Sequence, residues 1–358
     1  MPDIEQFEEE PDGGRPLRRL AVAGGAAWVL ALCAVCVILP LYVHPSLACG
    51  LASLAAAGVV AVVMGRTKDR YRHGAARARV VADTVRRTLL RPLPERIGAL
   101  GLASVYRACG GRGQVGGDLY AVARKGGTTR LIIGDVCGKG LPTFEDVAAV
   151  LGAFREWAPR AATLPELSAR LEESFLRHLA ESDDPARDTD ERFVTALLLE
   201  VRDGERLAHM VNHGHPPPVR ARRGSVDLVA GCPSPPLGLR ALRECGAVEE
   251  RFELDPGDTL LLYTDGLVEA RDAAGHCYPL LDRAMAWRWV RQGGPADYEC
   301  LPDALGEILR DLVDHAGTLP EDDLAMVALT RMEETAAAAL PRPAGGARRE
   351  DTGQLRQD

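Results

Sequence analysis

Lysine is almost missing from this chain of 358 residues: only Lys68, Lys125 and Lys139 occur, and Arg supplies the rest of the 43 basic side chains. Against 51 Asp and Glu they leave a formal charge of −8. That acidic balance excludes a nucleic-acid binder that works by bulk electrostatics. Cysteine is too sparse for a disulfide scaffold, with nine residues scattered along the chain. No internal repeat is present. The sharpest absence is local, because no Asp, Glu, Lys or Arg occurs between Leu20 and Gly65.

Those 46 uncharged residues would form a helix of about 69 Å, roughly twice the ~30 Å hydrocarbon core of a bilayer. Pro40, His44 and Pro45 break the run near its middle. The expectation is a hairpin of two transmembrane helices, near 20–39 and 46–65. Arg15, Arg18 and Arg19 precede it, and Arg66, Lys68, Arg70 and Arg72 follow, which places both ends in the cytoplasm. A multi-pass protein of the cytoplasmic membrane is therefore expected, with residues 1–19 as a cytoplasmic tail. A signal peptide cleaved near Ser46-Leu47-Ala48 fits less well, since a second apolar run follows and basic residues then stop transfer. Cys33 and Cys36, inside the apolar span, read as small packing residues.

Split by segment, the net charge is +7 over residues 66–96 and −11 over residues 97–332. The basic collar has helical spacing from Ala75 to Leu90, with Val80, Val81, Val85 and Leu89 as a stripe. It reads equally as a solvated linker held near anionic membrane lipid and as a helix for homodimerisation. Pro92 and Pro94 end it. Residues 333–358 are rich in Ala, Pro, Gly and Arg and are expected to be a disordered tail.

Residues 97–332 have a mixed pattern. Strand-like runs are Leu102–Arg107, Leu119–Arg124, Arg130–Val136, Phe193–Val201, Leu207–Val211, Val248–Leu254, Thr259–Tyr263 and Leu324–Leu329. Helical stretches are Thr143–Trp157, Leu164–Ala180, Pro279–Arg291 and Pro302–Ala316. Many strands follow one another without a helix between them, which disfavours a doubly wound parallel sheet. Antiparallel sheets packed face to face, with helices outside, fit better.

Four acidic motifs close or precede these strands: Gly116-Gly117-Asp118, Gly134-Asp135-Val136-Cys137-Gly138, Thr264-Asp265-Gly266 and Glu321-Asp322-Asp323. An Asp beside Gly at a strand end suits a metal site, because Gly permits the tight turn and a neighbouring carbonyl can add an oxygen. Carboxylates with few His or Cys partners select a hard cation, Mg²⁺ or Mn²⁺, over zinc. A single Asp-Gly is usually a turn. Four such motifs in order carry more weight.

Together with Val211-Asn-His-Gly-His-Pro-Pro217, Pro236-Leu-Gly-Leu239 and Leu262-Tyr-Thr-Asp-Gly-Leu-Val-Glu-Ala270, these motifs resemble the bacterial stage-II-sporulation-E-type branch of the PP2C (PPM) protein phosphatases. The resemblance covers residues 89–331. It implies an α+β fold, a PP2C-like αββα sandwich, with two Mn²⁺ or Mg²⁺ ions at one end. It also implies hydrolysis of phosphoserine or phosphothreonine on a partner protein, commonly a STAS-type anti-sigma-factor antagonist. Position by position, Asp135 resembles the bridging ligand with the Val136 carbonyl beside it. Asp118 resembles a ligand of one metal, and Asp265 and Asp322 ligands of the other, with Asp323 as the alternative to Asp322. In such a site two cations activate a shared water for direct attack on phosphorus, so no nucleophilic Cys or Ser is required.

Cys137 and Cys109 accordingly have no catalytic role, while Arg107, Arg112 and Lys139 are candidates for phosphate contact. Ala121 stands where the family often has an acidic residue, and Leu119 where a bulkier residue is common. The acidic Thr143-Phe-Glu-Asp segment is expected to alter the partner surface. His213 and His215 read as part of a structural turn. Two rival signatures fail. Leu119-Tyr120 replaces the Glu-Phe that would complete a diguanylate-cyclase motif, and Gly140 stands where a P-loop needs Ser or Thr. The competing non-enzyme reading is a membrane-tethered pseudophosphatase that binds a phosphoprotein without turnover.

Overall fold

The computed structural model describes residues 56, 58, 60, 61, 63–66 and 88–332, except 109–115, 139–140, 182–191, 223, 240–245, 292–297 and 319–321. The chain divides into two units, residues 1–77 and 78–358. The membrane expectation is corrected: among the described residues no helix is long and apolar enough to cross a membrane. The helical residues described in the second apolar run fall within positions 56–66. The first run, 20–39, and the basic stretch 67–87 lie outside the described residues.

Among the described residues of the second unit, eleven strands build two antiparallel sheets. They are β1 (Arg96–Ile97), β2 (Leu100–Arg107), β3 (Asp118–Lys125), β4 (Thr128–Val136), β5 (Val194–Arg202), β6 (Leu207–His213), β7 (Val219–Arg222), β8 (Ser225–Leu228), β9 (Glu250–Glu253), β10 (Thr259–Tyr263) and β11 (Leu324–Arg331). One sheet has the order β1-β2-β11-β10-β7-β8 and the other β3-β4-β5-β6-β9. The β3–β4 hairpin turns on Gly126 and Gly127, both at positive φ (56° and 86°), the conformation a two-residue hairpin turn demands. Its register sets Asp118 opposite Asp135.

Alternation along the strands sorts side chains into two cores. On β10, Leu260 and Leu262 face one core, and Leu261 and Tyr263 the other; on β11, Ala325, Val327 and Leu329 separate in the same way from Leu324, Met326 and Ala328. The first core lies between the sheets and extends beneath α1 (Leu141–Trp157) and α2 (Leu164–Glu181). The second lies on the outer face of the β10-containing sheet, under α3 (Leu280–Ala284), α4 (Arg288–Arg291) and α5 (Leu301–Ala316). A strand with helix on one side and sheet on the other is apolar on both faces, so β11 is buried at every position. The layers are therefore helix, sheet, sheet, helix.

All eight expected strand runs contain a strand, but two details differ. The run 279–291 is two short helices rather than one. Tyr278, Arg283 and Trp287 all hydrogen-bond to the Asp311 carboxylate on α5, and Trp287 stacks on Trp289 at 5.7 Å. Those tertiary partners outweigh helical periodicity. The hairpin β7–β8 was not expected, because Arg220, Arg222 and Asp227 dilute its apolar pattern. It turns at Gly224 (φ 73°) and extends the edge of its sheet.

Candidate metal centre

Each acidic motif reaches the site from a different strand. Asp118 opens β3, Asp135 lies one residue from the end of β4, Asp265 follows β10 in a 3-10 turn (Asp265–Leu267), and Asp322 and Asp323 precede β11. β3 and β4 belong to one sheet and β10 and β11 to the other, so the site forms where corresponding ends of the two sheets meet. One carboxylate oxygen from each of Asp118, Asp135 and Asp265 lies within 4.8 Å of the other two. Glycine makes this approach feasible. A Cβ on Gly117 would overlap the Val136 carbonyl oxygen and lie 2.6 Å from Asp135 Oδ1. A Cβ on Gly116 would overlap the Asp323 carboxylate.

Burial and mutual repulsion charge this cluster unfavourably. Burial, then the charges of Asp265, Asp322 and Asp323, push the Asp135 carboxyl up to about 7, and a hydrogen bond with Asp118 works the other way. Asp118 is raised well above the carboxylate range, by burial first and Asp135 second. Asp265 is raised by burial, then by Glu269 and Asp322. Among the described residues no ion pair involves Asp118, Asp135 or Asp265. A close set of oxygen donors, too crowded with negative charge to ionise together unaided, fits a hard divalent cation. It offers no His or Cys in the cluster for a softer one.

Two hydroxyl groups hold the acids. The buried Thr264 side chain donates to Asp118 Oδ2 at 2.7 Å and accepts from the Ala325 amide at 2.9 Å. Tyr106 donates to Asp323 Oδ2 at 2.5 Å. Asp323 is buried and Asp322 exposed, and both charges act on Asp135. Neither lies within the group of three. Neither Thr264 nor Tyr106 was expected to have a role from sequence. For Thr264 the available signal was its place beside Asp265 in a strand-end motif; for Tyr106 there was none.

The remaining sequence candidates separate. Arg107 is exposed at the end of β2, and Arg112, Lys139 and Cys109 lie outside the described residues. His213 is buried, with Nε2 2.7 Å from Ser168 Oγ and Nδ1 2.8 Å from the Pro235 carbonyl. His215 is buried with Nδ1 3.3 Å from Thr195 Oγ1, and its amide donates to Asn212 Oδ1 across Gly214 at positive φ. In the Thr143-Phe-Glu-Asp segment, Asp146 does not lie on the surface. It is buried between Arg192 and His178.

The model of the Stage II sporulation protein E (SpoIIE) family matches residues 125–332. The RsbU and RsbW domains of Rv1364c from Mycobacterium tuberculosis are 22% identical, over 67% of this chain and 61% of that one, with a TM-score of 0.53. The PP2C phosphatase domain and regulatory-domain fragment of the cell fate determinant SpoIIE from Bacillus subtilis is 19% identical, over 65% and 62%, with a TM-score of 0.52. The SiaA-PP2C domain of Pseudomonas aeruginosa is 17% identical, over 76% of this chain and 100% of that one, with a TM-score of 0.50. The match thus spans a little over six-tenths of the first two structures. Comparison with curated proteins finds no match.

Proposed function

Since the chain belongs to the SpoIIE family and carries its PP2C-type serine/threonine phosphatase domain, we propose that it removes phosphate from phosphoserine or phosphothreonine of a partner protein in a metal-dependent reaction. The observation that carries this reading is the convergence of Asp118, Asp135 and Asp265 from three strand ends of two sheets. These three carboxylates, with the Val136 carbonyl and Asp322, would hold two Mn²⁺ or Mg²⁺ ions. Bound there, the ions would activate water and neutralise phosphate oxygens. The protein's own contribution is placement. The β3–β4 register fixes Asp118 against Asp135, Gly116 and Gly117 admit close packing, and Thr264 and Tyr106 fix two carboxylates.

The catalytic unit in this reading is residues 97–332. The substrate class is a phosphorylated signalling protein, a STAS-type anti-sigma-factor antagonist being the form the family resemblance favours. The test is phosphate release by the full chain, with and without Mn²⁺, from phosphoserine peptides and from such an antagonist. The expected result is metal-dependent release that Asp135→Ala abolishes. Metal-dependent binding of the phosphoprotein with no release would overturn turnover in favour of a scaffold. Preference for small phosphomonoesters would overturn the protein-substrate assignment.

A further inference from the structure

The Thr264 hydroxyl spans the two sheets at their shared end. Its carrier follows β10, its donor Ala325 is on β11 of the same sheet, and its acceptor Asp118 is on β3 of the other. The side chain is fully buried. A hydroxyl has one proton to donate. The Ala325 amide occupies a lone pair at 2.9 Å, and of the two acceptors within reach, Asp118 Oδ2 at 2.7 Å is much closer than the Ala325 carbonyl at 3.4 Å. The backbone of β11 therefore aims the Thr264 proton at Asp118. With Oδ2 engaged, the rotation of the Asp118 carboxylate is restrained where it meets Asp135 and Asp265.

We propose that Thr264 is the positioning residue that sets the metal affinity of this site, by holding the Asp118 carboxylate in the orientation a cation requires. The inference rests on the metal-centre reading above. Groups that orient ligands from behind typically change metal affinity ~10–100-fold when removed. Thr264→Val keeps the shape and deletes the hydroxyl. Thr264→Ser restores donor and acceptor.

The experiment is Mn²⁺ titration of the full-length protein by calorimetry at one fixed pH, alongside thermal melts and kcat measured against Mn²⁺ concentration. Thr264→Val is expected to raise the Mn²⁺ dissociation constant at least tenfold, with kcat recovering at saturating metal, and Thr264→Ser to stay within threefold of wild type. Thr264→Val also leaves the Ala325 amide without its acceptor, so Leu261→Ala, a cavity in β10 away from the cluster, controls for lost stability. It should melt earlier and still bind Mn²⁺ within threefold. Wild-type affinity in Thr264→Val, or an equal loss in Leu261→Ala, overturns the positioning role and leaves the metal centre intact. Absence of Mn²⁺ binding by the wild-type chain overturns both.

Discussion

A single methyl group tests how closely the backbone packs at the site. Gly117→Ala would place a Cβ against the Val136 carbonyl oxygen and Asp135 Oδ1. Backbone on one side cannot yield, so β3 must shift from β4, at a cost of roughly 1–3 kcal/mol. The expected outcome is a folded protein with phosphatase activity reduced at least a hundredfold, checked by denaturant melts beside steady-state rates. His215 provides a second test at this scale. Burial lowers its pKa to about 3, against an opposing hydrogen bond with the Tyr263 main chain. The unfolded chain takes up that proton near the ordinary value of about 6.5, so the contribution to stability is complete above that pH and is lost as pH falls toward 3. A complete shift of this kind amounts to about 4–5 kcal/mol. His215→Gln should therefore flatten the loss of stability between pH 6.5 and 4 relative to wild type, measured by urea unfolding across that range. The aspartates could be recognised in sequence because Asp-Gly at a strand end has a chemical signature. Tyr106 could not, and Thr264 only through its place beside Asp265, because a hydroxyl acquires its role from the strand that faces it.

Elements are joined to one another by buried charge as well as by apolar contact. Arg130 on β4 pairs with Glu200 on β5 at 2.7 Å and also donates to the Ala158 and Ala161 carbonyls, which follow α1. One guanidinium thus fixes both a strand pair and the chain between α1 and α2. Replacing it by Met leaves the buried Glu200 with Arg202 as its remaining ion-pair partner, and two orphan carbonyls. Arg130→Met is expected to cost about 3–5 kcal/mol, read from chemical denaturation; a loss below 1 kcal/mol would show that the pair contributes little. Asp146 makes the analogous connection from α1 to α2 and to the start of β5, through His178 and Arg192. Asp146 reads as surface charge in the sequence, since an acidic residue in a helix shows nothing of a buried arginine 46 positions away. The 279–291 helix is a similar case: periodicity could not register the three side chains that converge on Asp311.

At the scale of the whole molecule, the two sheets meet in one core but converge at one end on unlike chemistry. Apolar burial drives the layers together, and the same packing brings together carboxylates that repel each other. Divalent metal should therefore stabilise the fold as a whole. At a hundredfold excess over its dissociation constant a ligand adds about 2.7 kcal/mol, roughly 5–10 °C in Tm for a domain of this size. Differential scanning fluorimetry of the full chain with Mn²⁺ should show that rise, and Asp135→Asn should not. A fixed Tm in both would count against the metal centre. By itself the sequence determined the strand runs, the antiparallel sandwich with helices outside, and the aspartates that end or precede strands, because alternation and glycine placement are local and have local physical causes. Tertiary structure alone decided which acids cluster, and that Asp323 is held by Tyr106 while Asp322 stays exposed. Those outcomes depend on register and packing between segments more than a hundred residues apart, and no local pattern encodes them.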